Sequence, residues 1–137
     1  MKKILLLVIV LIMTIGAFAQ DENKEKEENL YITVYERSYF HIDKDSLWVV
    51  DSNYDETSIF KFSKDFTSII HTSLEMKSLY LINSIKILNE DVFKLNILSD
   101  VGNSYIMIIN YKENSITMYF DDGINAVMFS IKTKFTK

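Results

Sequence analysis

The sequence predicts an all-β fold, an antiparallel meander of about 8–9 strands rolled into a closed or partly closed barrel. Three observations carry this expectation. Beyond residue 29, apolar and polar residues alternate with period two in one run after another. The runs are joined by short links of Asp, Asn, Ser, Lys and Gly, which suit antiparallel neighbours, whereas parallel strands need crossovers of about a dozen residues or more. Beyond residue 19 the chain holds 45 residues of the set Val, Ile, Thr, Tyr, Phe and Trp but a single alanine, Ala126.

The N-terminus reads as an address. Lys2 and Lys3 give a positive start, Ile4 to Ile15 is apolar apart from Thr14, and Ala17-Phe18-Ala19 offers the small side chains that a signal peptidase accepts. The apolar run has twelve residues, and a membrane-spanning helix needs roughly 20. Residues 1–19 are therefore expected to be a secretory signal peptide cleaved after Ala19, which leaves no transmembrane segment. Residues 20–29 follow as a spacer. Within them "DENKEKEEN" has five acids, two lysines and no apolar residue, so nothing in it repays the entropy of ordering.

A single domain is expected over residues 30–135, because 118 residues remain after cleavage and suffice for one core. Its first strand is "LYITVYERSYFHI", with Leu30, Ile32, Val34, Phe40 and Ile42 on even positions and Tyr31, Tyr35, Arg37, Tyr39 and His41 on odd ones. "SLWVVD" at 46–51, "SIFKFS" at 58–63 and "FTSIIHT" at 66–72 follow as strands, with "DSNYDET" at 51–57 read as a loop. Residues 73–88, "SLEMKSLYLINSIKIL", fit a helical stripe or a strand from about 78; the density of Ile and Tyr favours the strand. A helix there would make the fold α+β. "DVFKLNIL", "SYIMIINY", "SITMYFD" and "INAVMFSIK" complete the series, linked through Asp100–Asn103, Lys112–Asn114 and Asp121–Gly123.

A meander of this many strands either splits into two packed sheets, a sandwich, or closes. Closure is favoured because it removes the aggregation-prone edges that a strand such as "YIMIINY" otherwise presents. In strand number and order the expected architecture resembles lipocalin-like barrels. The resemblance stops there, since Trp48 follows Ser46 and Leu47 and lacks a glycine-x-tryptophan signature.

Charge and composition narrow the function. Without Lys2 and Lys3 the chain carries 13 basic and 19 acidic side chains, a net charge of −6, and Arg37 is the only arginine, so a nucleic-acid partner is not expected. Cysteine is absent. That excludes disulfides, a thiol nucleophile and a lipid-modified cysteine, and in an exported chain this small it suits a bacterial periplasmic or secreted protein.

Catalytic and metal motifs are sparse. "DSNYDET" spaces Asp51, Asn53 and Asp55 like calcium ligands, but Glu56 occupies the position where the sharp turn calls for glycine, and Phe62 the position of the bidentate glutamate. Two histidines, His41 and His71, lie outside any motif, and no glycine-x-serine-x-glycine elbow occurs. No metal or cofactor is expected, and the reading leans away from an enzyme. What remains is the odd face of the first strand, where Tyr35, Arg37, Tyr39 and His41 form a row of large rings with polar tips able to stack on or hydrogen-bond a ligand. Tyr and Arg are also ordinary occupants of a wet strand face. The expected function is a non-catalytic module that binds a small-molecule or protein ligand; a structural envelope component and an unrecognised hydrolase are the alternatives.

Overall fold

The structure is a computed structural model that describes residues 28–137; the expected signal peptide and most of the spacer lie outside these residues. Eight strands follow one another as β1 (Leu30–Ile42), β2 (Trp48–Phe62), β3 (Ser68–Ser73), β4 (Lys77–Asn89), β5 (Val92–Ser99), β6 (Ser104–Asn110), β7 (Ser115–Phe120) and β8 (Asn125–Thr136). Each pairs antiparallel with the next, and β8 returns to pair antiparallel with β1, so the sheet is a closed meander barrel. The barrel of the sequence expectation is the observed one, and residues 73–88 contribute β4 as a strand. Asn29 and Lys137 extend the closing seam, exchanging backbone hydrogen bonds of 3.1 and 3.0 Å. Among the described residues no helix is long and apolar enough to cross a membrane.

Short turns hold the register. Between β1 and β2 the Asp43 carboxylate accepts from the backbone N–H groups of Asp45 and Leu47 at 2.8 and 3.0 Å, an Asx arrangement that closes the link. Between β7 and β8 Gly123 takes φ +72°, a region where a side chain is strained, and the Asp122 carboxylate accepts from Ile124 and Asn125. Those bonds hold the Asp122 carboxyl below its ordinary pKa.

The core is the barrel interior. One row of core side chains winds round it as successive cross-strand partners, Tyr39, Val127, Met118, Met107 and Leu95. Ile32, Phe60, Phe62, Ile69 and Ile116 are completely buried within the same cluster. Alternation works because successive side chains on a strand point to opposite faces.

Two features depart from simple alternation and position the site. The first is a register shift between Val34 and Glu36, present against both β2 and β8. Val34 pairs with Ile131 and Arg37 with Phe129, and both partners belong to the core. The parity of β1 therefore flips at Tyr35: Ile32, Val34, Arg37 and Tyr39 all face inward, and Glu36 faces out. A one-residue slip moves a whole run to the other face. Phe40, expected beside Ile32 and Val34, consequently faces outward beside Ala126, where Trp48 and Tyr119 meet edge to face at 5.6 Å.

The second feature is the length of β2. "DSNYDET" is not a loop: Asn53, Tyr54 and Asp55 pair with Ser38, Arg37 and Glu36, so the two expected strands at 46–51 and 58–63 are one strand of 15 residues. β3 has only six residues and pairs with β2 from Ser58 to Phe62. At Ser73 the chain turns away, with the Ser73 N–H donating to the Met76 carbonyl at 2.8 Å. Beyond Ser58, β2 keeps β1 as its neighbour and has no strand partner on its other side among the described residues. This leaves a notch in the barrel wall, and the exposed Asp51 and Asp55 place charges along the free edge.

Candidate functional site

The notch brings together residues that lie far apart in sequence. Counting back along β2 from the buried Phe62 and Phe60, the inward positions are Ser58 and Glu56, and both are buried. An acid on the core face of a strand requires a partner, because burying an unpaired carboxylate is costly. Arg37 supplies it: its Nη2 lies 2.9 Å from Glu56 Oε1. The same guanidinium donates through Nη1 to the Tyr39 hydroxyl at 2.9 Å and lies over the Tyr39 ring. Tyr39 in turn meets Tyr54 edge to face at 6.0 Å.

On the other flank, His71 of β3 stands opposite Phe60, its ring stacked on the phenyl at 4.0 Å and 2°. Its Nε2 is 2.9 Å from Ser58 Oγ and 3.6 Å from Glu56 Oε2. The second distance is too long for a hydrogen bond. Two polar atoms consequently have no hydrogen-bond partner although buried, Glu56 Oε2 and Arg37 Nε.

This cluster is poorly suited to nucleophilic catalysis. A serine-histidine-carboxylate relay places serine and carboxylate on opposite imidazole nitrogens, whereas Ser58 and Glu56 both approach Nε2. Burial lowers the His71 pKa from 6.5 to about 4, the Glu56 charge opposing this and the Arg37 charge adding to it. The imidazole is therefore neutral and weakly basic at pH 7, far from the match that general-base catalysis favours.

That shift has a measurable sign. Between about pH 4 and 6.5 the unfolded chain protonates this histidine and the folded chain does not, so stability rises with pH through this window. The contribution, on the order of 3 kcal/mol, is complete above the unfolded pKa and is lost as pH falls toward the folded one. Urea unfolding at pH 4.5 and 7.5 should give a larger stability difference for the wild type than for His71→Gln. Equal differences would place His71 in contact with water.

A groove of about 620 Å³ opens at the notch. Glu56, Ser58 and Ser73 line it at the wall, and Tyr35, Thr57, Thr72 and Thr133 are among its outer lining. The size lies within the range of roughly 300–1,000 Å³ usual for small-molecule sites. The Tyr35 ring, on the face opposite Val34 as alternation places it, is half-exposed, and Lys132 and Leu74 stand at the border.

The four residues singled out from the sequence divide accordingly. Tyr35 lines the groove; Arg37 and Tyr39 point into the barrel behind it, Arg37 gripping Glu56. His41 is apart, near the end of the β1–β2 hairpin, its Nδ1 2.6 Å from Asp51 Oδ1. Sequence reasoning missed Glu56, His71, Ser58 and the threonines. Two signals for them existed: Glu56 and Ser58 continue the period-two positions of Phe60 and Phe62, and His71 is two residues from Ile69. The calcium-like spacing fails geometrically as well, since Asn53 and Asp55 share the outer face of one strand with Ser38 and Glu36 opposite, and Asp51 is tied to His41. No family model, characterised protein or solved structure matches the chain, so the groove and its residues carry the functional reading.

Proposed function

We propose that the protein is a non-catalytic binding module, exported from a bacterial cell to the periplasm or beyond, whose small-molecule ligand enters the groove at the end of β3. The observation that carries this reading is the buried Glu56 lining the groove with one carboxylate oxygen lacking a hydrogen-bond partner. A buried acceptor left unmade costs about 1–3 kcal/mol, so a group that reaches it gains affinity. The basic start, short apolar run and Ala17-Phe18-Ala19 of the N-terminus support export. The low basicity of His71 and its single-nitrogen contacts favour binding over hydrolysis.

A thermal-shift screen of a polar fragment library tests the reading. Fragments that raise the wild-type Tm should lose their effect on Tyr35→Ala, an outward substitution whose own Tm should change little. If every stabilising fragment acts equally on the variant, the groove is not the site.

A further inference from the structure

Independently of any ligand in the groove, we infer that the protein associates head to tail, the free edge of β2 in one copy pairing with the free edge of β4 in a second copy. The first edge is the side of β2 that β3 leaves uncovered beyond Ser58. The second lies on β4, which past Ile82 keeps β5 as its neighbour and has no strand partner on its other side among the described residues. Each edge presents backbone N–H and C=O groups able to accept a further strand.

Charge selects which edges meet. On the outer face Glu36 stands opposite Asp55 across β1 and β2, and Lys86 stands opposite Lys94 across β4 and β5. None of the four has an ion-pair partner among the described residues. Like charges directly opposite one another destabilise a sheet. Here one such pair is acidic and the other basic, and each borders a free edge. Pairing β2 with β2, or β4 with β4, adds to the repulsion, whereas pairing β2 with β4 sets opposite charges side by side.

The inner faces match as well. Tyr54 lies opposite Arg37, and Ile85 and Ile87 lie opposite Leu95 and Phe93, which pack in the core. These three inner positions are nevertheless 53, 43 and 41% exposed, because the barrel wall stops short beside them. Within the barrel β2 and β4 run parallel, each being antiparallel to β3, and each has its free edge on the β3 side. A second copy's β4 laid parallel to β2 therefore keeps outer face with outer face, Lys86 beside Asp55, and brings Ile85 and Ile87 to the Tyr54 side. The two edges differ, so the contact is heterologous and each copy retains one edge of each kind for growth.

Sedimentation velocity over a concentration series provides the test. At low salt the mean mass of the wild type should rise with concentration above that of one chain, and added salt should reduce the rise by screening the exposed charges. Asp55 and Lys86 are both exposed, so Asp55→Lys and Lys86→Glu should keep a Tm near that of the wild type. Each should weaken association by about tenfold or more, since either reversal sets like charges across the contact. An equimolar mixture of the two variants should associate again, because each retains the edge that the other needs. A wild type that stays monomeric throughout overturns the proposal, as does association indifferent to both reversals or a mixture no more associated than its components. Loss in Lys86→Glu alone also overturns it, and assigns the β4 edge to a different acidic segment, such as the chain's own stretch at 21–29.

Discussion

Phe60→Ala should lower the unfolding free energy by about 3–5 kcal/mol, the range for truncating a fully buried aromatic. Phe60 is 0% exposed. Its ring stacks on His71 and meets Phe129 edge to face at 5.1 Å, so the substitution opens a cavity between β1, β2, β3 and β8 that closed strands cannot collapse to fill. A domain of this size has roughly 5–15 kcal/mol in total, so the Tm should fall by more than about 10 °C. The same change admits water to His71, whose pKa should rise from about 4 toward its ordinary value, readable by NMR titration of the imidazole. Phe40→Ala is the internal comparison. Phe40 faces outward and is only part-buried, so its truncation should cost distinctly less. Phe40→Ala proving the costlier of the two would mean that β1 continues in unbroken alternation and that its inner face has been assigned the wrong way round.

Arg37→Met should be nearly as damaging, by a different mechanism. It leaves Glu56 buried without its ion partner, and breaking a buried pair costs roughly 3–5 kcal/mol. A value near the lower end, about 3 kcal/mol, is expected because the Arg37 side chain keeps 32% of its surface in water. The double substitution Arg37→Met with Glu56→Met should recover much of that loss, since two apolar side chains need no partners. Urea unfolding of the two single variants and the double variant measures the coupling. If the double variant is as unstable as the sum of the singles, the two residues do not act as a pair. The Tyr39 hydroxyl, which accepts from Arg37 Nη1, adds a smaller term that the Tyr39→Phe variant isolates.

The contrast between these residues explains how far the sequence reaches. The meander was legible because each link is a cluster of turn residues with a mechanism, such as Asp43 accepting from two backbone N–H groups or Gly123 taking a positive φ. The long runs of Ile, Val, Phe and Tyr between the links leave few alternatives to strand. β4 was legible for the same reason, despite a tolerable helical stripe, because its β-favouring residues pair along β5 from Tyr80 to Asn89.

The site was only half legible. Tyr35 and Arg37 stood out as an aromatic and the sole arginine, but their faces were assigned by counting along one strand. A register shift adds one residue and leaves no compositional mark, so the count is correct to Tyr35 and inverted from Glu36 onward. Glu56 was hidden differently. Asp51, Ser52, Asn53 and Asp55 have the local chemistry of a turn, and pairing with Ser38, Arg37 and Glu36 of β1 overrides it. Strand propensity depends on context in this way, because the partner strand satisfies the backbone that a local Asp or Asn would otherwise turn. Glu56 then became an internal carboxylate through its neighbour across the strand pair, which a one-dimensional pattern does not contain.

The notch itself follows from a length mismatch. β2 has 15 residues and β3 six, and no feature of "SIIHTS" announces that its pairing stops at Ser58. Glu75 and Met76 N–H groups both point to Ser73 Oγ, at 3.3 and 3.2 Å, which shows how the turn stops β3 from following β2 further. The opening that exposes the Glu56 region to the groove is thus a consequence of strand termination by a serine-centred turn.

The claim on which this account rests is that a ligand occupies the groove at the end of β3, against Tyr35 and Glu56. Amide chemical-shift mapping tests it most directly, with isotopically labelled protein titrated with the polar fragment that raises the wild-type Tm most. The account predicts that this fragment shifts the amides of Tyr35, Thr57, Thr72 and Ser73 and leaves those of Tyr80, Tyr105 and Phe120 unmoved, the aromatic cluster that meets edge to face elsewhere in the interior. Shifts centred on Tyr80, Tyr105 and Phe120, with the groove silent, would contradict it.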